Sequence, residues 1–242
     1  MNRKQYERET SSIKQEYKGH DSKRTLKLNR LDSKYEYWSY IDQYREVDHV
    51  SVPGLSHDLI PQDDANHAVS EVLKVHKGIH NTDNYSNIRF YINKPYYSRS
   101  GDDPFPCYTW NHPAVKNICK LVSDALGSDI DLERLNVIVR CYSGGDVLGF
   151  HSDRKEFGED IYGMVIYQSH TNGLILVDKE NKCYFAIDES VPISWHLTGD
   201  SRWKWIHGYA TLPKSSGVVR ISVTYRHYQD TKQIPKIRNH IN

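Results

Sequence analysis

What this chain lacks narrows it first. Its four cysteines, Cys107, Cys119, Cys141 and Cys183, stand far apart and form no Cys-x-x-Cys. That excludes a disulfide framework and a structural zinc site of the usual spacing, and it implies a reducing, intracellular setting in cytoplasm or nucleus. No apolar run approaches the roughly 20 residues of a membrane span, and the mean hydropathy is -0.73, so no membrane contact is expected. The opening Met1-Asn2-Arg3-Lys4-Gln5 carries no apolar stretch of the secretory kind. There is no internal repeat and no low-complexity tract, and Gly144-Gly145 is too short to be a phosphate-binding loop. A monomer is expected.

Net charge is also scarce, at +1, but it is uneven. Residues 1–34 hold ten Lys/Arg against five Asp/Glu, a net of +5 that leaves −4 for the remainder. Such an arm suits a phosphate backbone; a solvated, partly disordered terminus is the other reading. What the chain has in quantity is aromatic residues, 18 Tyr and 5 Trp among 242 residues, enough for a substantial core. Sandwiches and barrels of this length often form one domain.

Read in order, residues 1–34 form a flexible arm and 35–228 the main domain, with its core at 135–228 and a tail at 229–242. The segment 35–50 is aromatic-rich and is expected to pack on that domain. Val52-Pro53-Gly54-Leu55 reads as a turn and Pro61 to Ala65 as a helix start, followed by Ala68, Val69, Val72, Leu73 and Val75 at near-helical spacing. Residues 77–105 read as loop, broken by a strand-like run at 88–92. Pro113 opens a helix with Val115, Ile118, Cys119, Leu121, Val122 and Leu126 on one stripe and Gly127 at its end. Then the period changes to two, with strands predicted at 135–142, 161–168, 174–177, 183–187, 193–197 and 218–226. Short strands with turns at Asn172-Gly173 and Glu180-Asn181 predict a sandwich or jelly roll.

The chemistry centres on Phe150-His151-Ser152-Asp153, reached through Tyr142-Ser143-Gly144-Gly145-Asp146. On an extended chain a histidine and an aspartate two apart point the same way, as two of the three ligands of a non-haem Fe(II) facial triad do. With thirteen His and twenty Asp, chance alone supplies about one His-x-Asp, so the surroundings decide. Gly199-Asp200-Ser201-Arg202-Trp203-Lys204-Trp205-Ile206-His207-Gly208 offers a further histidine. In Arg220-Ile221-Ser222-Val223-Thr224-Tyr225-Arg226, two arginines and two hydroxyls share one face and three apolar residues the other. Inward-facing arginines are costly unless they meet an anion, and a guanidinium fork suits a carboxylate.

These three segments together resemble the AlkB-like branch of the Fe(II)/2-oxoglutarate-dependent dioxygenases, over roughly residues 87–228. Tyr142-x-x-Gly145-Asp146 with Phe150-His151-x-Asp153 is similar to the family's iron-ligand segment. Gly199-Asp200-Ser201-Arg202 with Trp205-x-His207-Gly208 resembles the segment of the distal histidine, and Arg220-x-Ser222-x-Thr224-x-Arg226 its closing strand. More loosely, Tyr96-Tyr97-Ser98 before Trp110-x-x-Pro113 resembles the substrate lid.

The resemblance implies a mainly β α+β fold, a double-stranded β-helix with N-terminal helices packed outside. It makes His151, Asp153 and His207 the iron ligands; His207 is preferred over His170, His196 and His227 for its Trp-x-His-Gly context. Arg220, with Tyr142 beside it, would hold the distal carboxylate of 2-oxoglutarate, with Arg226 and Ser222 nearer the keto-acid end. Where the family carries asparagine this chain has Arg140, which either strengthens the co-substrate contact or crowds it. After the His-x-Asp stand Arg154-Lys155-Glu156, where acidic residues are usual, so Lys155 and Glu156 face the substrate question. Tyr96 and Tyr97 either stack on a planar substrate or cover the core edge.

The implied reaction consumes O2 and 2-oxoglutarate and oxidatively demethylates alkylated bases of single-stranded or locally opened DNA or RNA. The alternatives are an oxygenase acting on a protein or small molecule, or a catalytically silent nucleic-acid-binding module. A zinc hydrolase lacks support, because no metalloprotease Glu motif is present and the arginine strand would go unexplained.

Overall fold

The structure, a computed structural model, describes residues 41–79, 88–96, 105–169, 173–210, 217–235 and 240–241. The basic arm and Tyr97 lie outside them, as do residues 35–40 of the aromatic segment. Two sheets face each other. The smaller is ordered β1 (Arg45–Glu46), β9 (Cys183–Ala186), β8 (Ile175–Asp178), β11 (Ile206–Ala210), β6 (Val147–His151). The larger is ordered β13 (His240–Ile241), β4 (Cys107–Tyr108), β3 (Ile88–Asn93), β5 (Leu135–Ser143), β12 (Val218–Tyr228), β7 (Phe157–Gln168), β10 (Ile193–Leu197), β2 (Leu55–Leu59). With helices α1 (Gln62–Gly78) and α2 (Lys116–Leu126) on the outer face of the larger sheet, this is the expected jelly roll with helices outside. A short α3 (Gly199–Trp203) precedes β11. Among the described residues no helix is long and apolar enough to cross a membrane, and all four cysteines are free and buried.

The period-2 pattern of β12 and β5 builds the two faces of the larger sheet. Ile221, Val223 and Tyr225, with Val137, Val139 and Cys141, pack outward against Ala68 and Val72 of α1 and Ile118 and Val122 of α2. The alternate residues face the smaller sheet and line an internal cavity: Arg220, Ser222, Thr224 and Arg226 from β12, Arg140 and Tyr142 from β5. The helices form where the sequence places them. The apolar stripe of α1 is Ala65, Ala68, Val72 and Val75, all buried. Pro113 opens a 3-10 turn, capped by His112 Nδ1 accepting from the Ala114 amide at 3.1 Å, before α2 begins at Lys116. Glu71 of α1 joins the two helices, accepting from the Asn117 amide at 2.8 Å and its side chain at 2.9 Å.

Some elements were not predicted. Strand β2 reads Leu-Ser-His-Asp-Leu and exposes four of its five residues; as an edge strand hydrogen-bonded to β10, it needs no apolar alternation. Strand β7 starts at Phe157, four residues before the predicted run, and α1 extends to Gly78 into the predicted loop. Part of the C-terminal segment rejoins the larger sheet, since His240 and Ile241 pair in parallel with Cys107 and Tyr108.

Across β7 and β10, Gly163 sits opposite Trp195. A Cβ on Gly163 would lie 2.1 Å from Trp195 Cζ2, and the indole is buried between the sheets. Gly163→Ala should therefore destabilise the protein by about 1–3 kcal/mol, the usual cost of overpacking a core. Urea denaturation at unchanged m-value would show it, and an unshifted midpoint would mean that the indole repacks freely.

Candidate metal centre

The smaller sheet supplies the donor atoms. His207 on β11 lies directly opposite His151 on β6, with ring centroids 4.5 Å apart. Asp153, two residues beyond β6, turns back to the same point, its Oδ2 3.5 Å from His207 Nε2. One ligand atom from each of the three lies within 4.8 Å of the others, the one such convergence among the described residues. His151 Nδ1 is 2.8 Å from the Gly149 carbonyl; donating there fixes the tautomer and leaves the Nε2 lone pair for a metal. Burial, with His151 alongside, pushes the His207 imidazole down to about 3, so it is neutral and ready to ligate at physiological pH. Burial works to raise the Asp153 carboxyl, but Arg226 and the two histidines hold it well below the usual carboxylate range. Its Oδ2 is buried without a hydrogen-bond partner. Two neutral imidazoles and an anionic oxygen with a free lone pair fit a divalent ion such as Fe(II).

The motif's Gly208 has a steric reason. A Cβ there would come within 2.9 Å of the Leu148 carbonyl and 3.0 Å of the Phe150 ring, forcing β11 away from β6 beside the two histidines. Two of the other candidate histidines have partners elsewhere. His196 on β10 bonds Asp160 at 2.7 Å, His227 Nε2 accepts from the Asp131 amide at 3.2 Å, and His170 lies outside the described residues.

Two arginines hold the ligand segment. Arg226 donates through Nη1 to Asp153 Oδ1, while its guanidinium carbon lies 3.9 Å from the centre of the Phe157 ring. It therefore grips the carboxylate of the candidate metal site, whereas a contact nearer the keto-acid end was expected of it. Arg202, only 2% exposed, donates to the carbonyls of Asp153 at 3.1 Å and Arg154 at 2.8 Å. In the sequence Arg202 stands within the Gly199–Gly208 motif with nothing to indicate its role. What fixes that role is the short helix α3, which turns the side chain inward.

Arg220 has an internal partner that the sequence did not announce. Its Nε and Nη2 donate to Glu189 Oε2 and Oε1, both at 2.8 Å, in an ion pair with side-chain exposures of 2% and 0%. Burial lowers the Arg220 guanidinium's affinity for its proton, but Glu189 more than reverses this and raises it above the ordinary arginine value. An internal carboxylate thus engages Nε and Nη2, neither bond uses Nη1, and the residue still lines the cavity. Removing one partner of such a pair costs about 3–5 kcal/mol. Glu189 had no signal in the sequence, being 31 residues from Arg220 in an irregular segment.

Arg140 and Tyr142 also line the cavity, which has a volume of about 20 Å³. Tyr142 is fully buried with an unpartnered hydroxyl. Ser222 lines the same wall, opposite Arg140 in the strand register. The proposed substrate residues divide. Tyr96 and Glu156 meet in a separate groove of about 320 Å³, with Arg154, Phe157, Tyr228 and Gln233. The Tyr96 ring stacks on Phe157 with centroids 6.0 Å apart, so it does cover a core edge while facing a groove. Lys155 is exposed and outside that lining.

Because Arg202 ties down the ligand segment, Arg202→Met should weaken divalent-metal binding by about tenfold to a hundredfold, as loss of an outer partner commonly does. Calorimetry with Mn(II) reads this, and unchanged affinity in a folded variant would remove Arg202 from the site. Acid sensitivity gives a further test. Between about pH 6.5, the ordinary histidine value, and about 3, where native His207 takes up its proton, the unfolded chain binds a proton that the native chain refuses. Stability of the metal-free protein should therefore fall as pH falls through that window, with Asp153 adding a loss of the same sign below its own unfolded value. The decline of Tm from pH 7 to 4 should be shallower in His207→Gln; an equal decline would contradict a buried neutral ring.

The sequence matches no protein-family model and no curated protein. Among solved structures, the chain is similar to a Pseudomonas putida prolyl-4-hydroxylase at 12% sequence identity and a TM-score of 0.45, over 79% of this chain and 98% of that one. At that level the likeness decides nothing about the site, which stands on its own geometry.

Proposed function

We propose that this chain is an Fe(II)/2-oxoglutarate-dependent dioxygenase, AlkB-like in kind, that oxidatively demethylates alkylated bases in DNA or RNA. The observation that carries the oxygenase reading is the convergence of His151, Asp153 and His207 opposite a strand whose arginines face the same cavity. When bound, ferrous iron with 2-oxoglutarate and O2 supplies oxidation of a C–H bond as the oxo acid becomes succinate and CO2; an N-methyl group hydroxylated in this way is lost as formaldehyde. The chain's own residues hold that chemistry in place. His151 presents Nε2, His207 stays neutral, and Arg226 keeps the Asp153 carboxylate ionised and oriented. At about 20 Å³ the cavity has room for about one water, so a keto acid enters as lining side chains shift.

The substrate reading draws on the adjoining groove. Its aromatic wall of Tyr96, Phe157 and Tyr228 and its polar Arg154, Glu156 and Gln233 suit an unstacked base. Arg226 connects the groove to the metal centre, touching both Phe157 and Asp153. Arg154 and Lys155 favour a phosphate or an acceptor-rich base edge over a cationic methylated base, and the basic arm adds sequence-independent affinity.

Under anaerobic conditions the protein should bind Fe(II) together with 2-oxoglutarate. On admission of O2 it should release succinate faster with members of a methylated-oligonucleotide panel that includes neutral modified bases. Deleting residues 1–34 should weaken oligonucleotide binding and flatten its salt dependence, with turnover at saturation intact. A protein that converts 2-oxoglutarate to succinate yet binds no oligonucleotide at low salt would keep the oxygenase and lose the nucleic-acid substrate, as oxidation of a protein or small molecule predicts. No Fe(II)-dependent 2-oxoglutarate binding at all would end the oxygenase reading.

A further inference from the structure

We infer that Glu159 of β7 and Trp203 of α3 are positioning residues for the candidate metal centre, steadying it from the surface by fixing how Arg202 enters. The inference rests on the metal-site reading above and concerns the residues behind the ligand segment. Arg202 is buried and donates to backbone carbonyls, those of Asp153, Arg154 and, at 3.4 Å, Gly158. Carbonyls accept over a broad range of directions, so they do not dictate the path of a long, flexible side chain. That path is set by α3, which has five residues and is far too short to hold its shape alone.

Two ties hold α3 in place. Glu159 spans the helix with one carboxylate: Oε1 accepts from the Gly199 amide at 2.8 Å and Oε2 from the Trp203 indole Nε1 at 2.7 Å. The first and last residues of α3 are thus bound to one side chain of β7. The other tie is the turn before β2, where the Pro53 carbonyl accepts from the Ser201 amide at 2.9 Å and the Gly54 carbonyl from the Thr198 amide at 3.0 Å. Glycine is required there, because φ is +84° and a Cβ would lie 2.0 Å from the Thr198 carbonyl oxygen.

The fixed indole in turn lies against Arg202, whose guanidinium carbon is 4.1 Å from the ring centre. Neighbouring residues of β7 therefore grip neighbouring residues of α3, Gly158 taking Arg202 Nε and Glu159 taking Trp203 Nε1. Burial disfavours the charged Arg202 guanidinium, and Asp153 and Glu159 are the carboxylates that offset it. At 42% exposure Trp203 adds little to the core, and Glu159 is itself exposed. What the two share is contact with the residue that holds the Asp153 backbone.

Calorimetry with Mn(II), run well below the melting temperature, reads this directly. Glu159→Ala should weaken binding by about threefold to tenfold, less than the loss of Arg202 itself. Glu159→Gln keeps an acceptor for one of the two donors and should fall between Glu159→Ala and the wild type. Trp203→Phe, which keeps a ring over the guanidinium and drops the indole N–H, should also weaken binding. The decisive comparison is a double-mutant cycle. If Glu159 acts through Arg202, Glu159→Ala should weaken Mn(II) binding no further in Arg202→Met. Equal losses in both backgrounds would overturn that route. Wild-type Mn(II) affinity in both Glu159→Ala and Trp203→Phe, with only Tm lowered, would overturn the inference while the metal-site reading stands. Should Arg202→Met fail to fold, Trp203→Phe replaces it in the cycle, and Glu159→Ala should then cost less affinity than in the wild type. A wild-type protein that binds no Mn(II) would end the metal-site reading and this inference with it.

Discussion

A guanidinium inside a β-sandwich must be answered by something, because the ordinary solution of pointing it at water is closed. Arg220 and Arg226 in the cavity wall, and Arg202 beside it, meet that constraint with different partners, while half-buried Arg140 keeps part of its surface exposed. Arg226 is answered by Asp153 of the candidate metal site, Arg220 by the buried Glu189, and Arg202 by backbone carbonyls of the segment that follows β6. Arg140 lies opposite Ser222 in the strand register and is half-buried. The first three tie the ligand segment and the cavity wall together through side-chain hydrogen bonds.

The two sheets divide the work. Strands β6 and β11 of the smaller sheet bring His151 and His207 face to face, with Asp153 following directly. Strands β5 and β12 of the larger sheet pair with each other, so that Tyr142 and Arg220, and Arg140 and Ser222, lie opposite one another. Helices α1 and α2 cover the outer face of that sheet with apolar residues, leaving the inner face to polar ones. Arg226 spans the gap, reaching from the larger sheet to the carboxylate that follows the smaller. Positioning therefore comes from strand register, which packing on both sides holds fixed, and less from loops.

Much of this was legible because it is periodic. The alternation through Arg220, Ser222, Thr224 and Arg226 against Ile221, Val223 and Tyr225 appears in the structure as two opposed faces. His207 stood out from the other histidines by the Gly208 beside it, and the reason is the close approach of Leu148 and Phe150. What could not be read was pairing between residues distant in sequence and outside any repeat. Glu189 precedes β10 in an irregular segment, and nothing local says that its carboxylate turns inward to Arg220. The inward turn of Arg202 depends on a five-residue helix too short to announce itself by periodicity. Strand β2 is polar because it lies at an edge, which only the assembled sheet reveals.

The central claim is that His151, Asp153 and His207 hold one divalent metal ion, and locating that ion tests it most directly. Crystals grown anaerobically with Fe(II), with anomalous data collected at the iron edge, should show one strong peak bounded by His151 Nε2, an Asp153 carboxylate oxygen and His207 Nε2. By analogy with zinc, the distances should be about 2.0–2.2 Å. Iron bound elsewhere, or a peak from which His207 is turned away, would contradict it.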